Sequence, residues 1–208
     1  MKKRALITGG SGAIGAALVR EFSSDYEVIF TYLNNKTTQI GATGVKLDIT
    51  DREAVFKLIN EYPHFDLLVN NAGISDIKLF TDITSADWNH MLAVNLTGAF
   101  NVTQAVLPAM ISRKSGVIVN VSSIWGEVGA SCEVHYSAAK AGLIGFSKAL
   151  AKEVKPSGIR VHYIAPGAVE SPMNSGFTED ELLAACPSGK VLMPKDVAKE
   201  IRLLVDKN

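Results

Sequence analysis

Cysteine is scarce in this chain, with two residues, Cys132 and Cys186, in a total of 208. Neither belongs to a CxxC pair, so no disulfide framework is expected, and a reduced, cytoplasmic setting is the simple expectation. An excess of either charge is missing as well. Lys plus Arg and Asp plus Glu both number 21, which leaves a formal net charge of zero. With no basic excess and no arginine-rich stripe, nucleic acid is not an expected partner. Long hydrophobic runs are absent, and no stretch reaches the roughly 18 apolar residues that span a bilayer, so no membrane partner is expected. The basic start Met1-Lys2-Lys3-Arg4 precedes only Ala5-Leu6-Ile7 before Thr8-Gly9-Gly10, too short an apolar run for a secretion signal. His64, His90 and His162 show no metal-ligand spacing, and no metal is expected. There is no internal repeat, low-complexity tract or linker.

What is present is an ordinary globular composition, 47% hydrophobic and 20% charged, and a length that suits one domain over residues 1–208. Short β-branched runs alternate with longer helical stretches. The strand candidates are Arg4–Thr8, Glu27–Tyr32, Gly44–Leu47, Asp66–Asn70, Gly116–Val121 and Ile159–Ile164. Most are nearly continuous apolar runs, the pattern of strands buried on both faces. Helices are predicted at about 12–22, 51–61, 84–113, 133–155 and 194–205. Strand–helix alternation with right-handed crossovers implies an α/β fold, a three-layer doubly wound parallel sheet. Such sheets bind ligands at the carboxyl ends of their strands, so the residues just after each strand carry the functional signal.

The first strand is followed by Thr8-Gly9-Gly10-Ser11-Gly12-Ala13-Ile14-Gly15. A glycine-rich turn opening a helix lets backbone approach a pyrophosphate, and the helix N-terminus offers N–H groups and partial positive charge. The second strand runs out through Tyr32-Leu33-Asn34-Asn35-Lys36 without the acid that usually bonds a ribose 2′-OH. Ser11, Asn34 and Lys36 are placed to receive a 2′-phosphate instead. NADP is therefore the expected cofactor, with NAD the alternative.

The strongest constellation is Ser123 followed by Tyr136-Ser137-Ala138-Ala139-Lys140. Tyrosine and lysine at i, i+4 share one helix face. A phenol titrates near 10 unperturbed and is a poor acid/base at neutral pH; a nearby ammonium is expected to lower that value. Tyr136 is thus the expected general acid/base and Lys140 its tuning partner. Ser122 sits one residue off and faces the other way, because side chains alternate along a strand.

These residues resemble the short-chain dehydrogenase/reductase family, over about residues 4–206. Its loop reads Thr-Gly-x-x-x-Gly-x-Gly, and this chain keeps Thr8, Gly9 and Gly15 but carries Ala13 at the middle glycine. The resemblance implies a Rossmann fold and hydride exchange between a nicotinamide cofactor and a carbonyl or alcohol. It also implies that Ser123 holds the substrate oxygen, that Lys140 also holds the nicotinamide ribose, and that Asn95 is the fourth catalytic residue, holding a water in a relay to Lys140. The implied cofactor contacts are Gly9, Ser11, Gly12, Ala13, Ile14, Gly15, Tyr32, Asn34, Asp48, Ile49, Asn71, Ala72, Gly73, Tyr136, Lys140, Pro166, Gly167, Val169 and Ser171. Among these, Asp48 corresponds to the acceptor for the adenine amino group, whereas Asn70 is expected to be mainly structural. Trp125, Glu127, Cys132 and Glu133 fall where the family builds its substrate walls, and His135 is expected to point elsewhere on its helix. A mobile substrate lid is expected at about 172–192.

The family usually has a full helix where this chain has only Thr37–Gly44, and continues to a seventh strand, apparently missing here. A homodimer through helices 84–113 and 133–155 is expected; a tetramer is doubtful. Within the family the pattern is most similar to β-ketoacyl carrier-protein reductases, which act on carrier-bound 3-oxoacyl groups. The other readings are a reductase of a different ketone, free or on a modified protein, and a non-catalytic nucleotide-binding regulatory protein.

Overall fold

In a computed structural model the described residues are 2–35, 41–171, 178–184, 186 and 189–207. Six strands form one sheet: β1 (Lys3–Ile7), β2 (Tyr26–Tyr32), β3 (Ala42–Lys46), β4 (Leu67–Asn70), β5 (Gly116–Val121) and β6 (Ile159–Ile164). Their order is β3-β2-β1-β4-β5-β6, and every pairing is parallel. The chain winds outward from β1 in one direction and then, from β4, in the other. The reversal point lies between β1 and β4, where a doubly wound sheet opens a crevice at its carboxyl edge. The predicted α/β class, a doubly wound parallel sheet of the Rossmann type, is therefore what the chain adopts.

Burial explains why these runs pair as they do. All residues of β4 and β5 are buried, as befits central parallel strands covered on both faces. Side chains alternate across the sheet. Ala5 and Ile7 of β1 enter one core with Val28, Phe30, Leu67 and Val69, whereas Leu6 enters the other with Ile29, Leu68 and Ile118. The first core is closed by α1 (Ala13–Phe22) and α8 (Pro194–Asp206), the second by α2 (Arg52–Glu61), α4 (Gly98–Arg113) and α6 (Val134–Val154). Phe22, Phe30 and Phe65 are among the largest fully buried side chains, each worth roughly 1.5–3 kcal/mol relative to exposure. The edge strand β3 is the least covered, with no buried residue.

Local signals set the helix starts. Asp51 caps α2 by accepting from the Ala54 amide at 3.0 Å. Thr84 and Asp87 form a reciprocal capping box at α3 (Ser85–Leu92). Pro194 stands in the first turn of α8, where its missing N–H costs nothing. At the other end of α8, Arg160 of β6 donates to the carbonyls of Leu204, Val205 and Lys207. A cation at a helix C-terminus opposes the dipole charge there.

The structure corrects the expected helix 84–113. It is α3, then a π-helical turn at Ala93–Thr97, then α4. Apolar periodicity runs through all three, so pattern alone does not reveal the wider turn. Two short helices were not foreseen: α5 (Trp125–Val128) and α7 (Glu179–Ala184). Gly126 makes α5 possible in its position, since an added Cβ would lie 2.7 Å from the Lys140 carbonyl carbon in α6. Lys36 and, within the expected lid at about 172–192, residues 172–177, 185, 187 and 188 lie outside the described residues.

Candidate active site

The loop after β1 is shaped by backbone contact. Gly9 has φ +65°, a conformation that suits glycine, and a Cβ there would lie 2.8 Å from Ala72 Cα. At Gly15 a Cβ would fall 2.1 Å from the Gly9 carbonyl oxygen. The loop therefore lies directly on its own helix. Gly12 precedes α1 with no side-chain cap, and the first turn holds no acid. The amides at that helix start keep their donor capacity and partial positive charge for an anion. Ala13, the departure from the family loop, is the first residue of α1 and is not among the positive-φ residues. Alanine therefore meets no backbone penalty there. A cradle of this kind fits a dinucleotide's pyrophosphate.

The turn after β4 is sewn to this loop. Thr8 Oγ1 accepts from the amides of Asn71 and Ala72, both at 3.0 Å. Asn71 Nδ2 donates back to the carbonyls of Thr8 and Gly9 at 3.0 and 3.1 Å. The side-chain donor of Asn71 thus steadies the loop. Asn70 is buried and donates to Thr103 and Asn120, and Asn120 donates in turn to Ser147 at 2.7 Å. A chain of buried amides and hydroxyls therefore crosses the sheet beneath the site, which agrees with a mainly structural Asn70.

The other expected cofactor contacts sit at the same carboxyl edge. Tyr32 and Asn34 stand at and just beyond the end of β2, with Tyr32 packed against the core and Asn34 exposed. Asp48 is exposed and holds its own turn by accepting from the Thr50 amide and hydroxyl. Ile49 is buried under Gly98, where a Cβ would lie 2.5 Å from its Cδ1. After β6, the Pro166 carbonyl accepts from the Ile124 amide at 2.9 Å. Val169 forms an isolated parallel bridge with Leu192. The buried thiol of Cys186 accepts from the Ala168 amide at 3.1 Å, a support for this turn that the sequence did not disclose.

A cavity of about 810 Å³ opens between the β4, β5 and β6 loops. Ser123, Tyr136, Ile14, Pro166, Gly167, Val169 and Ser171 all line it, so loop, acid/base candidate and last turn face one space. Trp125, Cys132 and Glu133 also line it, as the sequence suggested, whereas Glu127 is exposed and does not. Ser75 and Asp76 line it too, and nothing in their local pattern marked them. Ser122 reaches the cavity wall, but its hydroxyl points to the Lys140 carbonyl at 2.9 Å.

Lys140 is buried, with Nζ 3.0 Å from the Val121 carbonyl and 5.6 Å from the centre of the Tyr136 ring. Burial pulls its pKa down to about 8. Tyr136 moves the other way. Burial pushes the phenol up to about 12, against a hydrogen bond from Ser123 that lowers it, and the Glu133 charge raises it further. The expectation that Lys140 lowers the Tyr136 pKa is corrected for the protein by itself. The ammonium sits against the ring face and a carbonyl, while desolvation acts on the phenol directly. A phenol held in its protonated form is the state required of a proton donor.

Asn95 lies in the π-helical turn and is buried. Its Nδ2 donates to the Ile74 and Met91 carbonyls, and its Oδ1 accepts from the Ile74 amide. Gly73 is the gap between Asn95 and Lys140. A Cβ at Gly73 would lie 2.7 Å from Asn95 Oδ1 and 3.3 Å from Lys140 Nζ. Asn95, distant in sequence, is thereby brought beside Lys140 of the Ser123, Tyr136 and Lys140 group.

The profile of the short chain dehydrogenase family matches residues 3–182. The chain belongs to this family. It is thus an oxidoreductase of the short-chain dehydrogenase type. It is 36% identical to the uncharacterized oxidoreductase YmfI of Bacillus subtilis, over 99% of this chain and 92% of that protein. It is 37% identical to the 3-oxoacyl acyl-carrier-protein reductase FabG of Thermotoga maritima, over 97% of this chain and 89% of that one. Among solved structures, ElxO with NADP bound superposes with a TM-score of 0.90 at 33% identity, covering 100% of this chain and 93% of that one. The crystal structure of gox2181 gives 0.90 at 29% identity, covering 99% and 89%. Among the described residues of this family member, no helix is long and apolar enough to cross a membrane.

Proposed function

We propose that this chain is an NADPH-dependent carbonyl reductase. The observation that carries the reading is the meeting of Ser123 and Tyr136 on one cavity wall, with Lys140 buried behind the ring and the glycine loop opening toward the same space. A reduced nicotinamide, when bound, supplies the hydride. The chain's own residues do the rest. Tyr136 gives its proton to the carbonyl oxygen, and Ser123 stabilises charge developing on that oxygen. Lys140 holds the nicotinamide ribose, and Asn95, steadied on three sides, orients the relay that returns a proton to Tyr136 through Lys140. The loop residues Gly9, Ser11, Gly12, Ala13, Ile14 and Gly15 hold the pyrophosphate. The non-acidic end of β2, with Asn34 exposed there, favours NADP, and the solved relative ElxO holds bound NADP.

Several FabG relatives at 34–38% identity make 3-oxoacyl thioesters the first substrates to assay. In this reading the whole chain acts as one cofactor-binding domain and works as a homodimer in the cytoplasm, and α4 offers the surface for the second copy. Phe100 and Ile111 are 41% and 42% exposed on one stripe of that helix. Light scattering of the pure protein tests the dimer.

The decisive experiment is NADPH oxidation with a panel of 3-oxoacyl thioesters and free ketones. Turnover of thioesters supports the carrier-type reading, and turnover of free ketones alone removes it. No turnover of any carbonyl overturns the reductase.

A further inference from the structure

One wall of the cavity has a charge character that the reduction chemistry does not use. Asp76 and Glu133 both line it, and no Lys, Arg or His lines it among the described residues. Glu133 is half-buried and accepts from the Ser75 hydroxyl at 2.5 Å. Beside them His135 is fully buried, and neither ring nitrogen has a hydrogen-bond partner. Its Nε2 faces Asp76 Oδ2 across 3.9 Å. One cation, Lys78, pairs closely with Asp87 and more loosely with Asp76. Its Nζ is 2.8 Å from Asp87 and 3.8 Å from Asp76, and it does not reach the cavity.

A buried imidazole without partners is costly, because each unsatisfied polar atom keeps its full desolvation penalty. Carboxylates gathered with too little positive charge carry a similar cost. Burial raises the Glu133 pKa, which marks an anion short of compensation. A cationic guest relieves the second condition: it neutralises Asp76 and Glu133, the first of which is the carboxylate that the buried His135 faces. Trp125 lines the same cavity and adds an aromatic wall of the kind that takes quaternary ammonium groups.

We infer that the preferred substrate is a carbonyl compound bearing a cationic group, with the carbonyl at Ser123 and Tyr136 and the cation at Asp76 and Glu133. This rests on the reductase reading above and narrows its substrate class. A plain alkyl or acidic carbonyl compound leaves the wall uncompensated, and a carboxylate meets like charge there.

Three ketones of matched shape test this: 5-(trimethylammonio)pentan-2-one, its neutral isostere 6,6-dimethylheptan-2-one, and 5-oxohexanoate. Dissociation constants are measured on the NADP-loaded protein by titration calorimetry, and specificity constants by NADPH oxidation. The cationic ketone is expected to bind about tenfold more tightly than the neutral isostere, with the anionic ketone weakest. Glu133→Gln keeps a hydrogen-bonding partner for Ser75 and is expected to remove most of that ratio. Asp76→Asn, nearer the exposed rim, is expected to remove a smaller part. Equal binding of the cationic and neutral ketones, or a ratio unmoved by both variants, overturns the inference. The expected binding order without NADPH oxidation by any ketone leaves the charge assignment standing and removes the reductase instead. Oxidation with no charge order does the reverse.

Discussion

The two sides of the cleft are built differently. The proposed cofactor side, at the carboxyl ends of β1 and β2, is mostly backbone. Its shape comes from Gly9 against Ala72, Gly15 against Gly9, and Thr8 sewn to the amides of residues 71 and 72. The proposed substrate side, beyond β4, β5 and β6, is mostly side chains, and several are held in unfavourable settings. Lys140 is buried with a lowered pKa, Tyr136 with a raised one, and His135 without partners. The difference is one of tolerance. Backbone geometry admits few residues at each position but asks nothing of their chemistry, whereas the side-chain half stores its function in groups that burial makes uncomfortable.

The sharpest way to separate the halves is Tyr136→Phe. Turnover is expected to fall by about three orders of magnitude, the middle of the range for a general acid. NADPH affinity, measured by fluorescence titration, is expected to stay within about threefold, since other groups dominate that site. Comparable turnover in the variant breaks the assignment. Gly15→Ala is the mirror experiment. A Cβ 2.1 Å from a carbonyl forces the loop apart, so NADPH affinity is expected to fall by about tenfold or more, with a loss of about 2 kcal/mol in stability. Gly12→Ala, whose nearest neighbour would be 3.5 Å away, is the control and is expected to change either quantity only slightly.

Lys140 gives the comparison a pH axis. Its folded pKa, about 8, lies below the ordinary 10.5, so the unfolded chain binds more protons between those values. Stability must then rise with pH over that window, and the destabilisation is fully present below about pH 8. The raised phenol pKa of Tyr136 acts in the opposite sense, but only above about pH 10. Urea unfolding at pH 8 and pH 10 is expected to show a gain of about 2 kcal/mol, and Lys140→Met is expected to abolish that gain. An equal slope in the variant removes Lys140 as its source. The smallest of these effects concerns the amide chain under the sheet. Asn120→Ala leaves Asn70 and Ser147 each short of a partner, and a loss of about 1–2 kcal/mol is expected in thermal unfolding, with cofactor affinity little changed.

The sequence was most legible where one residue type answers one geometric demand. Gly9 and Gly15 announce a loop only glycine permits, and Tyr136 with Lys140 announces a shared helix face. Apolar strands such as Val117–Val121 announce burial on both faces. It was least legible where demand is met by distance in the chain. Ser75 and Asp76 reach the cavity because the β4 loop lies against residues 132–135 at the start of α6, and no local pattern records that. Cys186 supports Ala168 from 18 positions away. The sign of the Tyr136 shift was misread for a related reason: i, i+4 spacing reveals who is adjacent, not how much water has been removed.

The π-helical turn at Ala93–Thr97 has a consequence for how this scaffold tolerates change in length. A wider turn is equivalent to one residue inserted into an α-helix, and each residue rotates what precedes it by about 100°. Deleting a single residue there would restore a regular ladder and leave composition, hydropathy and net charge almost untouched. It would also swing α3, with Met91 and the Thr84–Asp87 box, out of line with α4 and carry Asn95 away from Ile74. Point substitutions can be absorbed gradually around such a site, but a one-residue gap is a discrete step with no half measure. The segment from 91 to 98 is therefore where a change of length, rather than of identity, most directly disables the protein.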